Sequence, residues 1–186
     1  MFIYQIVSIA ARILNLKNVV KYIENKTISG NALEEVDKLT KLTNLVICEL
    51  SVMGIYIIRS QIKSPSDGKI IFTALRTRPI KILGVFDDDG NSYPFTVHSD
   101  CLMTDPRVTN LTYAYSCNEG LDDKIQFEDY RISAELIAPG VVAEYLLTLN
   151  DFDGAVYWHE KFVNNLSALK DPKNPTNVML KERSFI

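Results

Sequence analysis

The chain has 186 residues, 47% of them apolar and 23% charged, a composition that supports a packed core and excludes a wholly disordered chain. Its 20 Lys and Arg against 23 Asp and Glu leave a formal charge of -3, so no global basic field exists to hold nucleic acid by its phosphates. Three widely spaced cysteines, Cys48, Cys101 and Cys117, make no disulfide framework, fit a reducing compartment and read as small buried apolar residues.

The first apolar run, Phe2 to Leu14, is interrupted by Gln5 and Arg12. No basic segment precedes it and no small-residue cleavage site follows, so it does not read as a signal peptide. Ile3, Ile6, Val7, Ala10, Ile13 and Leu14 recur at helical spacing, and Val19, Val20 and Ile23 continue it, which predicts one amphipathic helix or two short ones up to about Lys26. After Gly30 and Asn31, a three-four period from Val36 through Leu39, Leu42, Val46, Leu50 and Met53 to Tyr56 and Ile57 predicts a long helix of about 30 residues. Its apolar stretch, Leu42 to Ile58, carries Asn44 and Glu49 and falls short of the roughly 20 apolar residues a membrane span needs.

The turn cluster Ser64-Pro65-Ser66-Asp67-Gly68 ends this pattern, and the chain beyond it is β-rich. Ile70 to Leu75, Ile80 to Phe86, Tyr93 to Val97 and Leu111 to Tyr115 predict strands, and Lys124 to Phe127 a further short one. Asp87-Asp88-Asp89-Gly90-Asn91 reads as the turn of a two-stranded ribbon that would carry its three carboxylates away from the core. Helical spacing returns with Leu136, Ile137, Val141, Val142, Tyr145, Leu146 and Leu149, in a helix that starts near Pro139 or kinks there. Asn150 and Asp151 break it and supply a cap for a last helix with the face Phe152, Ala155, Val156, His159, Phe162, Val163, Leu166 and Leu169. So short a connection predicts an antiparallel helix pair. The prolines at 172 and 175 open a polar arm.

The expectation is an α+β fold: a helical bundle domain from 1–63 and 131–170, a β-rich insertion at 64–130, and an extended C-terminal arm at 171–186.

Candidate chemistry is sparse. His98 and Cys101 lie close in sequence, but a zinc site needs four ligands and only His159 and two distant cysteines remain. The triplet Asp87, Asp88, Asp89 lacks the alternating ligands and distal glutamate of a calcium loop and reads as a solvated turn. Phosphate-binding glycine loops, nucleophile elbows and dinucleotide fingerprints do not occur in the sequence, so no cofactor and no enzymatic activity is expected. Arg76, Arg78 and Lys81 form a basic stretch that reads as a solvated strand face, or as a DNA-channel contact if repeated around a ring. Trp158 is expected to pack against the preceding helix.

The residues from Ala138-Pro139-Gly140-Val141-Val142-Ala143-Glu144-Tyr145-Leu146-Leu147, through the Asn-Asp break and Asp153-Gly154-Ala155-Val156-Tyr157-Trp158-His159-Glu160-Lys161-Phe162, to Arg183-Ser184-Phe185-Ile186 resemble the head-to-tail adaptor (connector, tail tubular protein A-like) proteins of tailed bacteriophages. The order of elements extends this resemblance over most of the chain; the motif covers about the last 55 residues, with Phe185 where the family pattern has a tryptophan. The resemblance implies a structural virion protein made in the host cytoplasm. It would form a homo-oligomeric ring, a dodecamer, beneath the portal protein and present a surface to tail or nozzle proteins, with genome DNA passing through its lumen without sequence-specific contact.

In that setting Arg183, Phe185 and Ile186, an aromatic and apolar tip on a polar arm, are the expected portal-docking anchor, and Asp87, Asp88 and Asp89 a contact to lumen or tail. The helices also offer more apolar face than a three-helix core consumes, which points to protein partners and not to a membrane. A competing expectation is a small-ligand or carbohydrate-binding module, monomeric, with Tyr93, Phe95, Tyr113 and Tyr115 as its platform. A third is a hydrolase using His98 or His159 with an acidic partner.

Overall fold

The computed structural model describes residues 1–28, 30–62 and 67–170. These residues form a mixed α+β fold of five α-helices and two three-stranded antiparallel sheets. They fall into two compact units. The first takes Met1–Val46, Glu119–Lys124 and, among the described residues, 130–170; the second takes Ile47–Asn118 and Ile125–Asp129.

In the first unit the amphipathic N-terminus forms two helices, α1 (Ile3–Ile13) and α2 (Lys17–Asn25). The break is local: Asn15 adopts a left-handed φ of 57°, a conformation that asparagine tolerates better than most residues. Ile3, Ile6, Val7 and Ala10 are fully buried on one face of α1. The helix α3 (Ala32–Val52) supplies Leu39 and Val46 to the core of this unit.

The expected helix of about 30 residues is 21 residues long. It stops because Gly54 turns the chain at φ 83°, where a side chain would be strained, and because Ile55, Ile57 and Ile58 are β-branched. Ile57 and Ile58 then enter extended structure, so the first strand, β1 (Ile58–Ile62), precedes the turn cluster at 64.

Two further helices complete the unit: α4 (Ala134–Thr148) and α5 (Phe152–Lys170), joined by three residues and packed as a hairpin. Ser133 caps α4, its Oγ accepting from the Leu136 N–H, so the helix begins five residues before Pro139 and runs through it. The expected single apolar face on α4 is replaced by burial on every side: Ala138, Gly140 and Ala143 are buried along with Ile137, Val141, Val142 and Tyr145. A helix apolar all round belongs at the centre of its unit. Gly140 makes this possible, since a Cβ there would lie 3.1 Å from Val46 Cγ1 and 3.2 Å from the Phe162 ring. Asp151 begins α5 as expected, its Oδ1 accepting from the Gly154 N–H at 3.0 Å.

The second unit contains the sheets. One is ordered β1–β6–β3, with β3 spanning Pro79–Phe86 and β6 spanning Asn110–Tyr115; Ile58 pairs with Ala114, and Phe86 with Asn110. The other is ordered β2–β5–β4, with β2 at Lys69–Ile71, β5 at Cys101–Thr104 and β4 at Phe95–Val97. A short 3-10 turn, Phe72–Ala74, comes after β2. The two-stranded ribbon expected about residues 87–91 does not develop. After the bridge between Phe86 and Ser92 the chain leaves β3, and β4 pairs with β5 instead. Pro94 lacks the N–H a continuing ladder would need at that point. The expected strand at Lys124–Phe127 consists of isolated bridges, Phe2 to Lys124 and Ile57 to Phe127.

Candidate functional site

Three surfaces hold the side chains singled out by sequence. The first is the turn after β3. The Asp87 carboxylate accepts hydrogen bonds from the backbone N–H groups of Asp89 and Asn91, from Asn91 Nδ2 at 2.9 Å and from the Tyr93 hydroxyl at 3.0 Å. These bonds, led by that of the Asn91 side chain, hold the Asp87 carboxyl below the usual carboxylate range. The expectation that all three carboxylates project from the core as a solvated turn therefore fails for Asp87. Asp87 is half-buried and builds the turn, and only Asp88 and Asp89 are exposed. Asp105 and Arg107 stand nearby as a two-bonded ion pair, both contacts 2.9 Å, with Arg107 over the Tyr93 ring. Arg107 holds the Asp105 carboxyl down at about 2.

The second surface is the segment before β3. Arg76, Arg78 and Lys81 are all exposed, and the Lys81 ammonium sits 5.1 Å from the centre of the Tyr56 ring. Thr77 between the two arginines is half-buried and anchored. Arg59, stacked 4.3 Å from the Tyr115 ring, donates to Thr77 Oγ1 at 3.2 Å, and Thr77 and the Tyr113 hydroxyl are 3.3 Å apart. Tyr113 donates onward to Gln61 Oε1, which also accepts the backbone N–H of Arg76 at 3.2 Å. A chain of polar side chains thus fixes the backbone at 76–77, and Arg76 and Arg78, both exposed, line a groove of about 460 Å³ together with Thr73, Ser99 and Asp100. Sequence reasoning missed Arg59, Gln61 and Thr77. The available signal was the placing of Arg59 and Gln61 two residues apart, on one face of β1.

The third surface is on the α4–α5 hairpin. The long apolar face expected on α5 is two faces. Ala155, Phe162 and Leu166 are buried, whereas Phe152 and Val156 are 62% and 57% exposed and Val163 is also exposed. Phe152, Val156 and Val163 follow i, i+4, i+11 spacing and so form one stripe, with exposed His159 in it. Leu147 and the 55% exposed Leu149 extend apolar surface to the connection.

Other candidates part company. His98 is exposed while Cys101 is buried, their link being the backbone bond from His98 N–H to Cys101 O. Burial pushes the Cys101 thiol up, and its hydrogen bond to Asp100 adds to the effect, so the thiolate is disfavoured. Among the described residues no group of three His, Cys, Asp or Glu could hold a metal ion. Of the tyrosine platform, Tyr113 and Tyr115 are core residues, and Tyr93 commits its hydroxyl to Asp87. Trp158 is half-buried, with Lys161 above its ring. Arg183, Phe185 and Ile186 lie outside the described residues. No described helix is long and apolar enough to cross a membrane. No protein-family model and no curated protein sequence matches this chain.

Proposed function

We propose that this chain is a structural assembly protein, the subunit of a head-to-tail adaptor ring that joins a phage capsid portal to the tail. The observation that carries the assembly part is the exposed stripe Phe152, Val156 and Val163 on α5, continued by Leu147 and Leu149. Large apolar side chains grouped on one exposed face cost solvation free energy unless a partner covers them. The adaptor part rests on the resemblance of the C-terminal helix pair and arm to that family, and with it the ring, the portal, the tail-side partner and the virion location. Under this reading Arg76, Arg78 and Lys81 are cations that a ring would repeat, and DNA contacts made by them would be sequence-independent and weakened by salt.

The test is native mass spectrometry of the full chain, alone and with a candidate portal protein, beside the variant Phe152→Ser/Val156→Ser/Val163→Ser. Exposed substitutions of this kind leave stability within about 0.5 kcal/mol each. The parent should form a multimer or a portal complex that the folded variant does not. A parent chain that stays monomeric with every virion protein offered would overturn the reading.

A further inference from the structure

The first unit carries two apolar surfaces whose flanks have opposite charge. One is the stripe on α5. Phe152, Val156, His159 and Val163 are exposed along it, while Ala155, Phe162 and Leu166 are buried on the side where α4 packs. At about 3.6 residues per turn, Asp153 and Glu160 fall along the opposite flank of the stripe, about a quarter-turn round the helix. Both are exposed, and neither carries an ion pair among the described residues. Asp153 also lies in the first turn of α5, where the helix dipole favours an acid; Glu160 has no such local reason to be there. Lys161 lies on the far side of the helix, above the Trp158 ring.

The other surface is a groove of about 320 Å³ where the chain passes from α1 to α2. Ala11, Leu16 and Val20 supply its apolar lining, and Lys17 and Lys21, one turn apart on α2, line it with them. Both lysines are exposed and without an ion pair among the described residues. Arg12 also lines the groove, and Glu24 stands on the same side of α2 as the lysines; the two hold each other at 2.8 Å and add no net charge. No carboxylate is among the lining residues.

Neither surface suits a copy of itself. The stripe is symmetric about its middle, so an antiparallel pair of α5 helices would set Phe152 against Val163 and Val156 against His159, but it would also bring Asp153 of one helix to Glu160 of the other. Two lysine-flanked grooves would repel in the same way.

We propose that the α5 stripe of one copy of this chain docks in the α1–α2 groove of the next, Phe152 and Val156 against Leu16 and Val20, with Asp153 and Glu160 beside Lys17 and Lys21. This rests on the reading of the chain as a self-assembling subunit and names the two sides of its contact. The sides differ, so the contact is heterologous, and repetition gives a ring if the rotation closes and a filament if it does not. At 1.5 Å per residue the two acids are about 10 Å apart along α5 and the two lysines about 6 Å apart along α2, a difference that the flexible four-carbon stem of lysine spans. Apolar burial supplies the affinity, and the charged flank sets which surface meets which.

Charge reversal in the full chain tests the contact. Sedimentation velocity would follow self-association of the parent, of Lys17→Glu/Lys21→Glu, of Asp153→Lys/Glu160→Lys, of an equal mixture of these two, and of the fourfold reversal. Each paired variant should associate at least about tenfold more weakly than the parent, since like charges then face each other across the contact. The mixture and the fourfold reversal should recover association. If a reversed pair proves unfolded by circular dichroism, Lys17→Gln/Lys21→Gln or Asp153→Asn/Glu160→Gln replaces it and should weaken association in the same direction. A multimer indifferent to every one of these changes, yet lost in Phe152→Ser/Val156→Ser/Val163→Ser, would overturn the groove as the occupant's seat and leave assembly through the stripe standing. A parent that stays monomeric by itself would overturn the contact between copies, and the portal complex alone would then decide the assembly reading.

Discussion

The side-chain amide of Asn44 closes two hydrogen bonds with the backbone of Glu119, donating from Nδ2 to its carbonyl at 2.9 Å and accepting its N–H at Oδ1 at 3.0 Å. Asn44 lies in α3 and Glu119 is buried. One amide thus satisfies both backbone groups of a residue 75 positions along the chain, and it does so where water is scarce.

Asn44→Ala removes both bonds and leaves the Glu119 peptide groups to other partners or to water, at a cost of about 1–3 kcal/mol. Asn44→Asp should also destabilise, because a carboxylate can accept the N–H but faces the carbonyl with a second acceptor. Denaturant titration with each variant checks this, and an unchanged midpoint for Asn44→Ala would show that the clasp contributes nothing.

Acid unfolding should report the turn after β3. Asp87 and Asp105 both have carboxyls held below the ordinary 3.8, so the stability they contribute is fully present above that value and is lost as pH falls through the folded-state value. For Asp105 the loss falls between about pH 4 and about pH 2. Asp87→Ala should move acid unfolding of the second unit to higher pH, whereas Asp88→Ala and Asp89→Ala should not. Equal behaviour of the three alanine variants would contradict the division between a turn-building and two exposed aspartates.

Packing at Gly140 gives a size series. Alanine places a methyl 3.1–3.2 Å from Val46 and Phe162, so those side chains must give by a few tenths of an ångström, and the gain in helix propensity of up to about 1 kcal/mol offsets part of that. Leucine cannot be absorbed so, and overpacking should cost about 2–3 kcal/mol. Thermal unfolding of Gly140→Ala and Gly140→Leu separates the two, and a leucine variant as stable as the parent would mean that the helices part more easily than this contact implies.

Much of this architecture was legible in the chain. The break at Asn150 and Asp151 and the amphipathic N-terminus rest on interactions within a few residues, and they stand where the sequence places them, whereas β structure begins at Ile58, ahead of the turn cluster expected to start it. Helical spacing overran α3 by several residues because Ile55 to Ile58 suit either a helix face or a strand. The turn at Gly54 and the pairing of β1 with β6 choose the strand.

The sequence by itself determined the helical segments in outline, the main chain breaks and which side chains carry charge, since backbone sterics, periodicity and capping act over one or two turns of chain. Tertiary structure alone decided which apolar residues are buried: α5 divides into a covered face and an exposed stripe only because α4, closing on the Phe162 ring at Gly140, takes one side of it. It alone gave Asp87 a different role from its two neighbours, and placed Arg59, Gln61 and Thr77 beneath the two arginines. Those distinctions depend on partners brought together by strand register and helix packing, and residues far apart in sequence carry no local mark of the neighbour they will meet.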